Sequence, residues 1–484
     1  MKNNYKTVIL KNSIINVIEA VKEIQNDISE EGSLFCIVKN SYKNDEIKND
    51  IFDVMEYCTN IGLTYINTII CPQNTKLHYD NIQYIIWFVK NKEKMYFNKD
   101  AIREKHIWKD VEWGKREKNY NPKGKDPGNV WIPTLDDGKG KITKHILLNN
   151  NEIYNRILSS TIETKSDNIF ILSSKKEDSK YKYKDNNITF KFLENTETED
   201  IKNLSNKNKE NQNIEIENTE KNTKETYKAK VFFGTSENME KVQNNTVKLI
   251  VTSPPYWDLK DYFKENQIGK EDYETYSKRM YQVWQECFNK LKDNGSMWIN
   301  INVRVRNNKP IYLPKLFIEQ CKKIGFKFKG ILIWHKSSGI PTNAKNIVDR
   351  HEYVLIFTKG KQDELKSFKC DEFSDYKNDE LNGGLIWNIN RKAGSVGKKT
   401  IHPAIYPTEL INRIIKISTH KGDIVLDPFL GSGTSLIAAL NNTRNFVGYE
   451  FNEGFRELMI SRFKKEIYDY KEDEVKFLNL EKSK

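Results

Sequence analysis

The sequence predicts an α/β protein built as two doubly wound modules in one chain. Three observations carry this: short apolar strands alternate with helices, their order recurs at fixed offsets, and a glycine turn joins a strand to a helix near the C-terminal end. With 484 residues, 37% of them apolar, the chain can bury more than one core.

The elements follow in order. Ile14, Ile15, Val17, Ile18, Val21 and Ile24 recur at helical spacing, and Gly32 is the expected stop. A strand at 34–38, a helix at 47–60 closed by Gly62, and strands at 65–70 and 82–89 come next. Residues 90–130 interleave Lys, Arg, Trp and Tyr, the pattern of a basic, aromatic surface loop suited to phosphates and bases. A helix at 152–161 and a strand at 168–172 complete the first module, residues 1–172. From 173 to 228 Asn, Lys, Glu, Ser and Thr dominate, too polar to order strongly, and this stretch is expected to be a linker holding only a short strand at 188–192. The second module, 229–484, has strands at 230–233, 247–251, 297–301, 330–334, 352–358, 424–426 and 445–449. Its helices are expected at 273–291, 314–324, 407–418 and 435–440.

The repeat sharpens the division. Gly295-Ser296-Met297 lies 263 positions after Gly32-Ser33-Leu34, and Ile324-Gly325 lies the same distance after Ile61-Gly62. Val130-Trp131 corresponds to Ile386-Trp387, His145 to His402, and Asn155-Arg156 to Asn412-Arg413. The first copy has no counterpart of the glycine turn and is expected to begin too late to hold the strand before Ser253. It therefore reads as catalytically dead.

Charge and cysteine usage bound the partners. The 79 basic and 67 acidic residues leave +12, which favours a polyanion, although Lys, Asn and Ile are abundant throughout. No apolar run is long enough to span a bilayer and Met1–Leu10 has no signal-peptide pattern, so a cytoplasmic protein without membrane contact is expected. The six cysteines show no Cys-x-x-Cys pair and no histidine at ligand spacing, so reduced core thiols and no metal are expected.

Two motifs carry chemistry. Val247–Val251 is a β-branched run that stops at Thr252-Ser253-Pro254-Pro255-Tyr256, where the prolines remove two backbone donors and leave an exposed tip. Ser253 offers a hydroxyl and Tyr256 a flat ring, a way to hold an amine-bearing ring; alone, Ser-Pro-Pro is more often an ordinary turn. The second motif, Asp427-Pro428-Phe429-Leu430-Gly431-Ser432-Gly433-Thr434, joins a strand to a helix N-terminus. Glu450 follows at the next strand end, an arrangement suited to a nucleoside ligand with a carboxylate.

Together the motifs resemble those of the β-group amino DNA methyltransferases, over about residues 230–465. There the Asp-Pro-Phe-x-Gly-x-Gly-Thr turn binds S-adenosyl-L-methionine and a Ser-Pro-Pro-Tyr or Asp-Pro-Pro-Tyr tip presents an exocyclic amine. His402-Pro403-Ala404 with Tyr406-Pro407-Thr408, and Ile333-Trp334-His335-Lys336 with His351-Glu352-Tyr353, match the family as well. Gly234-Thr235-Ser236 departs from its usual Gly-Asp. The resemblance implies two Rossmann-like methyltransferase modules, the first degenerate, the second circularly permuted and catalytic.

It also implies roles. Ser253, Pro254, Pro255 and Tyr256 are the expected catalytic residues. Asp427, Pro428, Phe429, Gly431, Gly433, Thr434, Glu450, His402 and Pro403 are expected around the cofactor. Ser253 Oγ and the Pro254 carbonyl would accept the N–H bonds of a flipped base stacked on Tyr256, with no cysteine nucleophile. The expected substrate is double-stranded DNA, the product N4-methylcytosine, with adenine N6 the alternative, and the setting a bacterial restriction-modification system with a cognate endonuclease. A monomer with an internal pseudo-dimer is expected, its 90–130 loop touching DNA. A non-catalytic DNA-binding scaffold and an RNA methyltransferase are the competing readings; the second module shows no decay at either motif, and RNA enzymes commonly place the cofactor motif first.

Overall fold

The computed structural model describes residues 3–44, 46–48, 50–72, 82–104, 121–132, 134–136, 142–194, 228–257, 266–306, 309–336, 346–360, 386–390, 407–468 and 471–480. Two sheets organise it. The first contains β1 (Tyr5–Lys11), β2 (Ile28–Val38), β5 (Thr64–Pro72), β6 (Ile82–Val89), β9 (Asn168–Ser173) and β10 (Ile188–Phe192), in the order β10-β9-β1-β2-β6-β5. Between these strands lie α1 (Ile14–Ile24), the hairpin β3 (Tyr42–Lys43) and β4 (Glu46–Ile47), α2 (Ile51–Asn60), the hairpin β7 (Thr134–Asp136) and β8 (Ile142–His145), and α3 (Asn150–Thr161).

Local chemistry fixes these boundaries. Ser13 caps α1, accepting from the Asn16 backbone, and α2 and α3 open with the reciprocal capping boxes Asp50/Asp53 and Asn149/Glu152. Gly62 ends α2 at φ +95°. Gly32 has a different role from the helix stop expected of it. It lies inside β2, where an added Cβ would come within 2.9 Å of Ile28 Cγ2 and of the Tyr5 carbonyl.

The second sheet has nine strands, in the order β18-β16-β17-β13-β12-β19-β20-β11-β21. They are β11 (Ala229–Phe233), β12 (Val247–Thr252), β13 (Leu291–Ile301), β16 (Lys327–His335), β17 (His351–Thr358), β18 (Ile386–Asn388), β19 (Ile424–Asp427), β20 (Asn445–Glu450) and β21 (Val475–Asn479). The hairpin β14 (Arg304–Arg306) and β15 (Lys309–Ile311) stands apart. The helices are α4 (Tyr273–Lys290), α5 (Leu313–Ile324), α6 (Thr408–Ser418), α7 (Thr434–Asn441) and α8 (Arg456–Glu466). α4 and α5 pack with one face of this sheet, and α6, α7 and α8 with the other.

The two sheets share a register. β1 lies between β2 and β9 with Thr7 opposite Ser33 and Ile169; β12 lies between β13 and β19 with Leu249 opposite Ser296 and Val425. The first module therefore does contain a strand in the place of β12, contrary to the expectation that the chain begins too late. Lys6, its second residue, and Lys11, its last, are both buried, and they hide it from a search for apolar runs. In this register Lys11-Asn12-Ser13-Ile14 stands where the second module has Ser253-Pro254-Pro255-Tyr256, and Phe192 stands in the place of Glu450. The stretch from Ser173 to Phe192 also belongs to the first sheet, because β10 pairs parallel with β9, so it is not linker. Residues 195–227 lie outside the described residues.

Side-chain details repeat as well. Arg156 sits over Trp131 at 5.0 Å and Arg413 over Trp387 at 5.7 Å. Lys90 donates to the Ile28 carbonyl as Lys359 donates to that of Leu291. The modules meet reciprocally: α2 packs on α5, β4 on β16, and β15 on β5. Thr59 and Tyr312 share a 2.5 Å hydroxyl contact, Lys315 pairs with Asp53 at 2.6 Å, and one apolar cluster runs through the junction. Among the described residues, Cys36, Cys58, Cys71, Cys287 and Cys321 are free and buried in these cores.

Candidate active site

The sheet order places the two motifs together. From β12 the chain continues to β13 on one side, and from β19 to β20 on the other, so the strand order reverses between β12 and β19. A crevice opens beyond the carboxyl ends of strands at such a reversal. Ser253 follows β12 and the glycine turn follows β19, so both face this crevice.

A buried network holds them. Thr252 Oγ1 donates to Asp427 Oδ1 at 2.7 Å, Ser435 Oγ donates to Oδ2 at 2.5 Å, and the Phe429 backbone donates to Oδ1 at 3.0 Å. Asp427 is fully buried, so these charge-assisted bonds meet the cost of its desolvation. Its carboxylate thus faces inward, locking the turn to the strand that carries the tip.

The turn itself is tightly built. Gly431 and Gly433 adopt φ of +55° and +84°, and a Cβ on Gly433 would meet Phe463 Cε1 at 2.6 Å. Arg462 of α8 donates to the Ser432 carbonyl and to the hydroxyls of Ser432 and Thr434. Pro428 and Thr434 are buried, whereas Phe429 is half-buried beside Trp284. Glu450 closes the arrangement by accepting from the Gly431 backbone at 2.7 Å and the Asn452 backbone at 2.8 Å. Burial raises its carboxyl to about 7, against the pull of those backbone bonds. A glycine cradle that excludes side chains, with a carboxylate beside it at the next strand end, fits the amino-acid and ribose portions of S-adenosylmethionine.

The tip is fixed from behind. Pro254 is buried; Ser253, Pro255, Tyr256 and Trp257 are half-buried. Tyr276 donates to the Pro255 carbonyl at 2.7 Å, Trp257 Nε1 donates to the Glu271 carbonyl at 2.7 Å, and Arg304 donates to the Trp257 carbonyl. Tyr256 donates to Glu352 Oε2 at 3.2 Å. The same carboxylate receives Asn300 at 2.7 Å and Lys336 at 2.7 Å. His335 and His351, beside this group, are driven down to about 3 and about 4, chiefly by burial, and stay neutral at physiological pH.

In the sequence Lys336 and Glu352 stand out only as family matches, and Asn300 carries no signal. Asn300 sits beside Ser253 because Thr252 pairs with Ile299, a relation that only the strand register reveals. His402 and Pro403, expected near the cofactor, lie outside the described residues.

The first module's equivalent crevice differs. Asn12 donates to the Leu193 carbonyl and Asn16 to that of Glu194, so the chain after β10 crosses the end of β1. Asp178 there receives Tyr154, Ser173 and Asn150. Burial lowers Lys11 to about 8. Among the described residues no group of histidine, cysteine, aspartate and glutamate could hold a metal ion, and no helix is long and apolar enough to cross a membrane.

Comparison with known proteins matches residues 247–461 to the N6_N4_Mtase family, described as DNA methylase. The type II methyltransferase M.Cfr9I of Citrobacter freundii is 29% identical over 266 residues, covering 47% of this chain and 85% of that protein. M.MjaI of Methanocaldococcus jannaschii is 30% identical over 279 residues, covering 48% of this chain and 89% of its own. A Thermus thermophilus structure, described as a putative DNA modification methylase complexed with S-adenosyl-L-methionine, is 26% identical with a TM-score of 0.39, over 52% of this chain and 99% of that one. The shared segment spans the tip and the glycine turn, and the chain belongs to the N6/N4 DNA methylase family, as an S-adenosylmethionine-dependent DNA methyltransferase.

Proposed function

We propose that the chain methylates the N4 amine of a flipped cytosine in duplex DNA, as the modification enzyme of a type II restriction-modification system. The observation that carries this is the Thr252–Asp427 bond, which brings Ser253 and the glycine turn to one crevice at the strand reversal. An exocyclic amine has its lone pair delocalised into the ring and attacks poorly. Ser253 Oγ and the Pro254 carbonyl accept its N–H bonds and draw the nitrogen towards a tetrahedral geometry, while Tyr256 stacks on the base. Gly431, Gly433 and Glu450 hold the donor, with Phe429 and Pro428 shaping the turn. When bound, S-adenosylmethionine supplies the electrophilic methyl group. Serine rather than aspartate at position 253 favours cytosine over adenine.

The tip precedes the cofactor turn, so the second module is read as the permuted form of the fold. The first is read as a degenerate copy: the matching strand register and the loss of tip, glycine turn and terminal carboxylate support that reading. It takes the place of a second subunit, making the chain an internal pseudo-dimer. Its 90–130 loop is the proposed DNA contact, although Arg103, Lys99 and Lys123 are already paired with Asp126 and Asp100. Lys92 and Lys94 of this loop are exposed, and residues 105–120 lie outside the described residues.

Nucleoside analysis of DNA from cells expressing the chain tests the reading. N4-methylcytosine is the expected product. N6-methyladenine alone would overturn the choice of base, and no modified base at all would favour a non-catalytic scaffold.

A further inference from the structure

The first module reaches into the second through the segment 126–131. Val348 N donates to the Pro127 carbonyl at 3.1 Å and Asn129 N to the Val348 carbonyl at 3.0 Å, while the same segment bonds Ile70 of β5 at 2.8 Å in both directions. Asn129 is fully buried at this junction. Its Nδ2 donates to Asn67 Oδ1 at 2.9 Å, the Thr68 carbonyl at 3.1 Å and Asp349 Oδ1 at 3.0 Å, and its Oδ1 accepts from Arg350 N at 2.8 Å. Both ends of the amide are therefore engaged, and between them they bind both modules.

What Asn129 holds is the approach to the tip. Arg350 lies against Gly128, where a Cβ would come within 2.6 Å of Arg350 Cδ, and it donates to the Asp126 carbonyl at 3.2 Å. Its own carbonyl accepts from Lys336 N at 2.7 Å. Two residues on is Glu352, whose carboxylate gathers Lys336, Asn300 and Tyr256. A continuous set of bonds thus runs from Asn129 through Arg350 to the Tyr256 ring.

We infer that Asn129 is a positioning residue for methyl transfer, supplied by the module that has no tip of its own. The inference rests on Ser253–Tyr256 being the catalytic tip. In-line transfer needs the amine held closely, and a misplacement of about 1 Å costs on the order of a hundredfold in rate. Asn129 acts on that placement by setting where Glu352, and hence Tyr256, stands.

The test uses the full chain, duplex DNA and methyl-labelled S-adenosylmethionine. Asn129→Ala should lower turnover about tenfold, with cofactor Kd and DNA KM within about twofold of wild type. Combined with Glu352→Gln, its effect should be non-additive, the double variant being no slower than the slower single one. Asp349 is half exposed and its removal spares the core, so Asp349→Ala should show the same pattern at about threefold even if Asn129→Ala does not fold. Wild-type turnover in either folded variant, or losses that multiply in the double variant, would overturn the inference. A wild-type chain that transfers no methyl to DNA would instead remove the catalytic reading beneath it.

Discussion

Thr252 donates its hydroxyl to Asp427 across 2.7 Å, joining the last residue of one strand to the last residue of its neighbour. Each lies one residue from a functional loop. The pair makes the tip and the cofactor turn parts of one rigid unit, and this governs how substitutions there should behave.

Asp427→Ala removes an anion and strands three donors in the core. It should cost about 3 kcal/mol of stability and weaken cofactor binding at the same time. Thermal unfolding with calorimetric titration checks both.

Ser253→Ala leaves that network untouched. Turnover should fall by about a hundredfold or more while S-adenosylmethionine affinity stays unchanged, because the lost acceptor serves the amine in the transition state. Single-turnover methyl transfer and calorimetry separate the two effects.

Gly433→Ala forces a side chain into φ +84° and towards Phe463. The variant should be destabilised by about 1–3 kcal/mol and should bind cofactor poorly even where folded. Titration below its unfolding temperature is the measurement.

The raised carboxyl of Glu450 makes cofactor binding depend on pH. Its folded value of about 7 exceeds the usual 4.5, so the folded state holds the proton over that window and loses relative stability as pH rises through it. The ionised carboxylate is the stronger acceptor for ribose hydroxyls, so affinity should instead increase as pH rises through about 7. Calorimetry from about pH 6 to about 8.5 should show this for wild type and a flat profile for Glu450→Gln.

One S-adenosylmethionine should bind per chain. In the first module Lys11 and Phe192 replace Ser253 and Glu450, and Leu193 and Glu194 bond across the strand end. A titration giving two equivalents would contradict this.

Much of this was legible in the sequence. Gly32 and Gly295 lie inside β2 and β13, and Arg156 and Arg413 stand over Trp131 and Trp387, so these sequence matches fall at similar local settings. β1 was not legible, because the buried Lys6 and Lys11 bound its short apolar run. Neither was the network around Glu352, since Asn300, Lys336 and Tyr256 come from different strands and meet only once the register is set. Asp427 was visible as part of a motif, but its inward orientation depends on Thr252, which no spacing rule connects to it.

The reciprocal junction of α2 with α5 has one more consequence. In a pair of identical subunits each substitution at the axis appears twice, so every residue must suit both places. Under the proposed duplication, joining both copies in one chain lifts that constraint. Lys315 pairs with Asp53 on one side, while the mirror positions, Phe52 and Leu316, are apolar. On that reading each half is free to carry a different surface for the other, and the proposed division of labour is between a half that reacts and a half that shapes.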